Sequence, residues 1–128
     1  MEMEKQEIFA ELEKSYVTGI TFSGGDPLAP HNREIIMSLI VWIRFTFPNK
    51  TIWVYTGYKY EQLLSDNKYA IMFILRYIDV LIDGKYLNNL RNTNLKWRGS
   101  SNQRVIDVQK TLQQTDPTNP VLHCGDYS

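Results

Sequence analysis

Short runs rich in β-branched and aromatic residues, each closing on a glycine-bearing turn and separated by stretches of helical spacing, constrain this chain more than any other feature. Val17 to Ser23 runs into Gly24-Gly25-Asp26-Pro27, Thr51 to Tyr55 into Thr56-Gly57, and Ile78 to Ile82 into Asp83-Gly84-Lys85, while Lys96-Trp97-Arg98 reads as a short fourth strand before Gly99-Ser100. Between them lie helical patterns. Ile8, Phe9, Leu12 and Tyr16 share one face from Glu4 to Tyr16, and Ile35, Ile36, Leu39, Ile40 and Ile43 share a wide face from Asn32 to Phe47, which Pro48-Asn49 ends. A third helical stretch covers Tyr60 to Arg76, with Asp66-Asn67 as a candidate break. Strands alternating with helices of this length predict an α/β fold built on a parallel sheet with covering helices, and the apolar strands predict cover on both faces.

The glycines carry a second expectation. Five of the seven, Gly24, Gly25, Gly57, Gly84 and Gly99, follow a predicted strand directly. A parallel sheet gathers such loops on one edge, so they should line one cleft with Asp26, Thr56, Asp83, Lys85, Arg98 and Asn102. In the first loop paired glycines let a ligand approach the backbone, and Asp26 can hold an ammonium group. The same residues also suit a tight turn in which Asp26 caps the next helix.

The chain has 128 residues, room for one domain with a modest core. Lysine plus arginine equals aspartate plus glutamate at 14 each, which favours a small ligand or a protein partner and gives no electrostatic grip on nucleic acid or an anionic membrane. The longest apolar stretch, Ile35 to Phe47, is interrupted by Ser38, Arg44 and Thr46, and the acidic opening is unlike a secretory signal, so a cytoplasmic location is expected. Cys124 is the only cysteine; one copy can form no internal disulfide and no cysteine cluster, and His123-Cys124 could contribute to a metal site only as two adjacent ligands in the tail. Residues 1–114 are expected to form the domain and residues 115–128, with Asp116-Pro117-Thr118-Asn119-Pro120, a flexible tail.

Taken in order, four segments resemble the activating proteins of anaerobic ribonucleoside-triphosphate reductase, a radical S-adenosylmethionine family. They are Gly19-Ile20-Thr21-Phe22-Ser23-Gly24-Gly25-Asp26-Pro27-Leu28, Ile52-Trp53-Val54-Tyr55-Thr56-Gly57-Tyr58, Asp79-Val80-Leu81-Ile82-Asp83-Gly84-Lys85-Tyr86 and Trp97-Arg98-Gly99-Ser100-Ser101-Asn102-Gln103-Arg104. The resemblance implies part of a radical-SAM (βα) partial barrel. It implies that Ser23, Gly24, Gly25 and Asp26 bind the methionine ammonium of S-adenosyl-L-methionine, with Thr56 in the cleft floor, Asp83 and Lys85 near the ribose and carboxylate, and Asn102 at the rim with Arg98 and Gln103. It further implies a [4Fe-4S] cluster, a reductant such as flavodoxin, and the large reductase subunit as the partner that receives a glycyl radical.

One departure is severe. The family holds its cluster with three cysteines spaced CxxxCxxC ahead of the first helix, and no cysteine precedes Cys124 here. Two readings follow: an activating enzyme whose amino-terminal cluster segment is missing from this sequence, or a non-catalytic module that binds S-adenosylmethionine or docks on the reductase. A generic nucleotide-binding domain is disfavoured, since the first loop is not GxGxxG and no phosphate-loop lysine follows it.

Overall fold

In the computed structural model, described over residues 2–23 and 25–123 with residues 2–5 by backbone alone, the chain is an α/β protein on a four-stranded open sheet. The elements run α1 (Glu2–Leu12), β1 (Gly19–Phe22), α2 (Arg33–Thr46), β2 (Thr51–Tyr55), α3 (Tyr60–Leu75), β3 (Val80–Asp83), β4 (Arg104–Asp107) and α4 (Val108–Leu112). Strand order is β1-β2-β3-β4, with β1, β2 and β3 parallel. Gly24 and Cys124, and with them part of the first loop and of the tail, lie outside the described residues.

Helical boundaries follow local chemistry. In α2 the buried Leu39, Ile40 and Ile43 form one stripe, Glu34 sits in the first turn and Arg44 in the last, and the Phe47 N–H closes on the Ile43 carbonyl just before Pro48. The expected break in α3 is present. Asn67 leaves helical geometry (φ −153°, ψ 86°), and its Oδ1 accepts the N–H of Ala70, so the second half of the helix begins with its own cap.

Two expectations are corrected. Lys96-Trp97-Arg98 is not a strand; the fourth strand is Arg104–Asp107, and it runs antiparallel to β3 with Val80 opposite Asp107 and Asp83 opposite Arg104. The reason is the connection. A parallel return needs a crossover the length of a helix, whereas residues 84–103 hold only one 3-10 turn, Asn88–Leu90, so the chain re-enters from the end at which it left.

The second correction concerns cover. Ile20, Phe22, Ile52, Val54, Leu81 and Ile106 share one face and pack with Leu12, Leu39, Ile43, Leu63 and Ile71 of the helices in the main core. The opposite face carries Val80, Ile82 and Val105 against Trp53 and Tyr55, and Trp97 and His123, which lie outside the helices, pack on Trp53 there. Trp97, in a left-handed backbone conformation (φ 67°), packs edge-on to both Trp53 and His123, while the Tyr55 hydroxyl donates to the Trp97 carbonyl.

Beyond Thr115 the chain touches the domain at several points. Val121 accepts the Asp107 N–H, His123 donates to the Val105 carbonyl, and the fully buried Tyr60 gives its hydroxyl proton to the Pro117 carbonyl at 2.5 Å. Burial, with the nearby charges of Glu61 and Asp116, pushes the Tyr60 phenol up to about 12. The neutral phenol is therefore favoured by the fold: its contribution is whole below the unfolded value of about 10 and is lost as pH rises from there through 12. Urea denaturation of Tyr60→Phe should show a flatter loss of stability between pH 10 and 12 than the parent chain; equal slopes would overturn this assignment.

Candidate functional site

The first loop is held by its own acid. One Asp26 oxygen accepts the Leu28 N–H at 3.0 Å, the other accepts the Gly57 N–H at 2.8 Å, and the Thr56 hydroxyl donates to the carboxylate at 2.9 Å from Oδ1 and 3.1 Å from Oδ2. Thr56, buried at the end of β2, uses its oxygen again to accept the Tyr58 N–H. Leu28 anchors the far side: its side chain is fully buried, and its carbonyl accepts Arg33 Nε at 2.7 Å. Asn32, one residue before α2, donates from Nδ2 to the Asp26 carbonyl. Asp26 thus ties the loop after β1 to the turn after β2. It turns the loop through the Leu28 N–H but caps no helix, which corrects the capping part of that reading, and its carboxylate lines the cleft.

A cleft of about 280 Å³ opens at the carboxyl ends of the parallel strands. Asp26, Thr56, Gly57 and Gly84 line it as the sequence suggests, joined by Tyr55, Tyr86 and Gln103. Gly84 has φ +93°, a conformation that side chains disfavour, and it turns the chain out of β3 across the cleft floor. Gln103 is buried and braces two loops at once: its amide donates to the Gly84 carbonyl at 3.0 Å, while its oxygen accepts the N–H groups of Gly99 (2.9 Å) and Ser100 (3.1 Å).

Other sequence candidates sit elsewhere. Asp83, 1 % exposed, belongs by strand alternation to the helix-covered face; its carboxylate accepts the Tyr60 N–H at the start of α3 and is clasped by Arg104, which also grips Glu61. Arg104 holds the Glu61 carboxyl below its ordinary range, chiefly through that hydrogen bond, and the paired acids push the guanidinium up in turn. Lys85 is exposed, and its carbonyl accepts Asn102 Nδ2 at 2.7 Å; Asn102 itself lines a separate depression with Lys59, Glu61 and Arg104. Arg98 donates to the Gln103 carbonyl at 2.7 Å. Ser23 is exposed, and the position of a side chain at Gly25 would be open space, so the backbone there is accessible. Tyr55 and Tyr86 are cleft residues that the glycine pattern does not single out: Tyr55 directly precedes Thr56-Gly57 on the strand face opposite Val54, and Tyr86 stands two residues after Gly84.

A family described as a 4Fe-4S single cluster domain matches residues 1–106. This chain belongs to that family. More narrowly, it is similar to curated proteins named anaerobic ribonucleoside-triphosphate reductase-activating protein: 48 % identical over 100 residues to that of Enterobacteria phage T4 (78 % of this chain, 60 % of the relative), 48 % over 87 residues to that of Escherichia coli K12 (68 % and 54 %), and 42 % over 103 residues to that of Haemophilus influenzae (79 % and 64 %). The chain spans between about half and two thirds of the length of these relatives. No solved structure matches it significantly.

The residues present do not fit the family's cluster. Such a cluster needs several thiolates, the sequence holds only Cys124, and among the described residues no group of three or more His, Cys, Asp or Glu could hold a metal ion. The cleft does fit part of an organic ligand, with an accessible loop backbone beside a fixed carboxylate. Among the described residues no helix is long and apolar enough to cross a membrane.

Proposed function

We propose that this chain forms the cofactor cleft of an activating protein of anaerobic ribonucleoside-triphosphate reductase, a cytoplasmic radical S-adenosylmethionine enzyme that places a glycyl radical on the large reductase subunit. The observation that carries the reading is the 48 % identity to proteins of that name, coupled with a cleft built from the first three of the four loops on which the resemblance rests, and from Gln103 of the fourth. The cofactor, when bound, supplies the 5′-deoxyadenosyl group, and the partner reductase supplies the glycine. The thiolates for a [4Fe-4S] cluster have to come from outside these 128 residues, and a reductant such as flavodoxin would deliver the electron to that cluster.

The roles of this chain's residues are those of binding and orientation. Ser23, Gly24 and Gly25 offer main-chain oxygens to the methionine ammonium, and Asp26 adds its charge while fixing the loop that carries them. Thr56 holds Asp26 from the cleft floor. By the resemblance Lys85 would reach the ribose and carboxylate end from the rim and Asn102, bonded to the Lys85 carbonyl, would hold that rim, while Asp83 supports the loop from beneath through Arg104 and the start of α3. This gives Asp83 a supporting task in place of direct contact.

Two measurements test the reading. Calorimetric titration of the 128-residue chain with S-adenosylmethionine should show saturable one-site binding, and its absence would sink the cofactor assignment. Anaerobic treatment with iron and sulfide should leave the chain without a stoichiometric, reducible [4Fe-4S] signal in low-temperature electron paramagnetic resonance. A full signal would show that thiolates are dispensable here and would overturn the account of the cluster.

A further inference from the structure

We infer that residues 84–103, the excursion between β3 and β4, form a docking surface for an acidic protein face with an apolar centre; the inference rests on the reductase reading, which makes that face part of the large reductase subunit. From Gly84 to Ile106 the sequence holds five lysines and arginines and no aspartate or glutamate, so the rest of this neutral chain carries five more acids than bases. Arg104 is taken up by Asp83 and Glu61, whereas Lys85, Arg91 and Lys96 are exposed. Apolar surface lies among these charges. Leu87 and Leu90 are 36 % and 38 % exposed, and they stand three residues apart across the Asn88–Leu90 3-10 turn, a spacing that puts both side chains on one side of it. Trp97 is 39 % exposed, with the Lys96 ammonium 5.7 Å from its ring centre. An apolar centre ringed by one sign of charge is the anatomy of a protein interface, and the sign here selects an acidic partner.

The excursion is also braced and well placed. Loops longer than about 12–15 residues without strands or full helices of their own are uncommon inside compact domains and are mostly functional. This one folds back on itself: Arg91 pairs with Ser100, the Ser101 N–H donates to the Leu90 carbonyl at 3.0 Å, and the Leu87 N–H donates to Ser100 Oγ at 3.2 Å. A surface fixed in this way leaves little ordering to be done on binding. Gly84, Tyr86 and Gln103 of the same excursion line the cleft, so a partner seated on Leu87 and Leu90 stands beside it. A protein is favoured over nucleic acid, since three exposed bases are few for a phosphate backbone and the paired leucines give a base no ring to stack on.

The test measures binding of the 128-residue chain to the cognate large reductase subunit by biolayer interferometry at several salt concentrations. Binding should weaken as salt rises. Arg91→Glu combined with Lys96→Glu should weaken it at least about tenfold and flatten that salt dependence, at an unchanged melting temperature. Leu87→Ser combined with Leu90→Ser should weaken it chiefly through faster dissociation, and serves if the charge variant fails to fold. Undiminished affinity in both double variants would overturn the surface. Titration with S-adenosylmethionine separates this from the reading beneath it. Binding of that cofactor without any binding of the reductase would overturn the surface and leave the cofactor cleft standing. Reductase binding that is lost in the double variants, without cofactor binding, would keep the surface and sink the cofactor reading; failure of both would overturn both. A single-stranded DNA oligonucleotide that binds the parent chain but not the charge variant, or self-association of the chain that the same variant abolishes, would overturn the choice of partner.

Discussion

Arg104→Met should lower the free energy of unfolding by about 3–5 kcal/mol, the scale expected when one partner of a buried ion pair is removed. Asp83 is 1 % exposed and accepts Arg104 Nε at 3.1 Å as well as the main-chain N–H of Arg104 at 3.2 Å. Without the guanidinium its charge stays under the helices with the Tyr60 N–H and that one amide as partners. A second substitution, Asp83→Asn, should restore much of the loss, since a neutral amide still accepts at the start of α3 without an unpaired charge. The pair also predicts an acid limb. Glu61 is depressed from about 4.5, so its contribution is present above that pH and is lost as pH falls through the lowered folded value. That limb should vanish in Arg104→Met. Urea denaturation at several pH values checks both statements, and a loss below about 1 kcal/mol would place the triad among weak surface pairs instead.

Asp26→Ala should reduce affinity for S-adenosylmethionine at least about tenfold and stability by about 2 kcal/mol, because it deletes the charge-assisted hydrogen bonds from two donors that join the loops and from the Leu28 N–H within the first. The Gly57 N–H and the Thr56 hydroxyl lose their acceptor together. Asp79 supplies the contrast. Its carboxylate accepts Arg44 Nη2 and the Ile52 N–H, both at 2.7 Å, at the opposite end of the sheet, so Asp79→Asn should destabilise the chain while leaving the affinity of the folded protein alone. Calorimetric titration of the two variants decides the matter: equal losses of affinity would mean that the cleft is not where the ligand binds.

Much of this was legible because the relevant signals are local. The wide apolar face of α2 and its stop at Pro48, the break at Asn67, and the glycine turns after β1, β2 and β3 each follow from a few neighbouring residues. The cleft was legible for a related reason, since parallel strands bring their carboxyl ends to one edge whatever their register. Nearness in sequence to Gly84 and Lys85 does not bring Asp83 to the cleft. Strand alternation turns it under α3, whereas Tyr55 and Gly84 turn toward the cleft. The tyrosines are not legible as cleft residues because aromatic residues at strand ends are as readily core as ligand wall.

Sequence by itself settled the α/β class, the three parallel strands and the loops that meet at their ends. The tertiary structure alone decided that the last strand is Arg104–Asp107 and runs antiparallel, that Trp97 and His123 pack on the second face, and that Asp26 ties its own loop to the turn after β2. The division has a physical cause. Turns and helical faces are fixed by short-range sterics and hydrophobic spacing, whereas the direction of a strand and the partner of a buried charge depend on contacts between residues twenty or more positions apart, which no local pattern encodes.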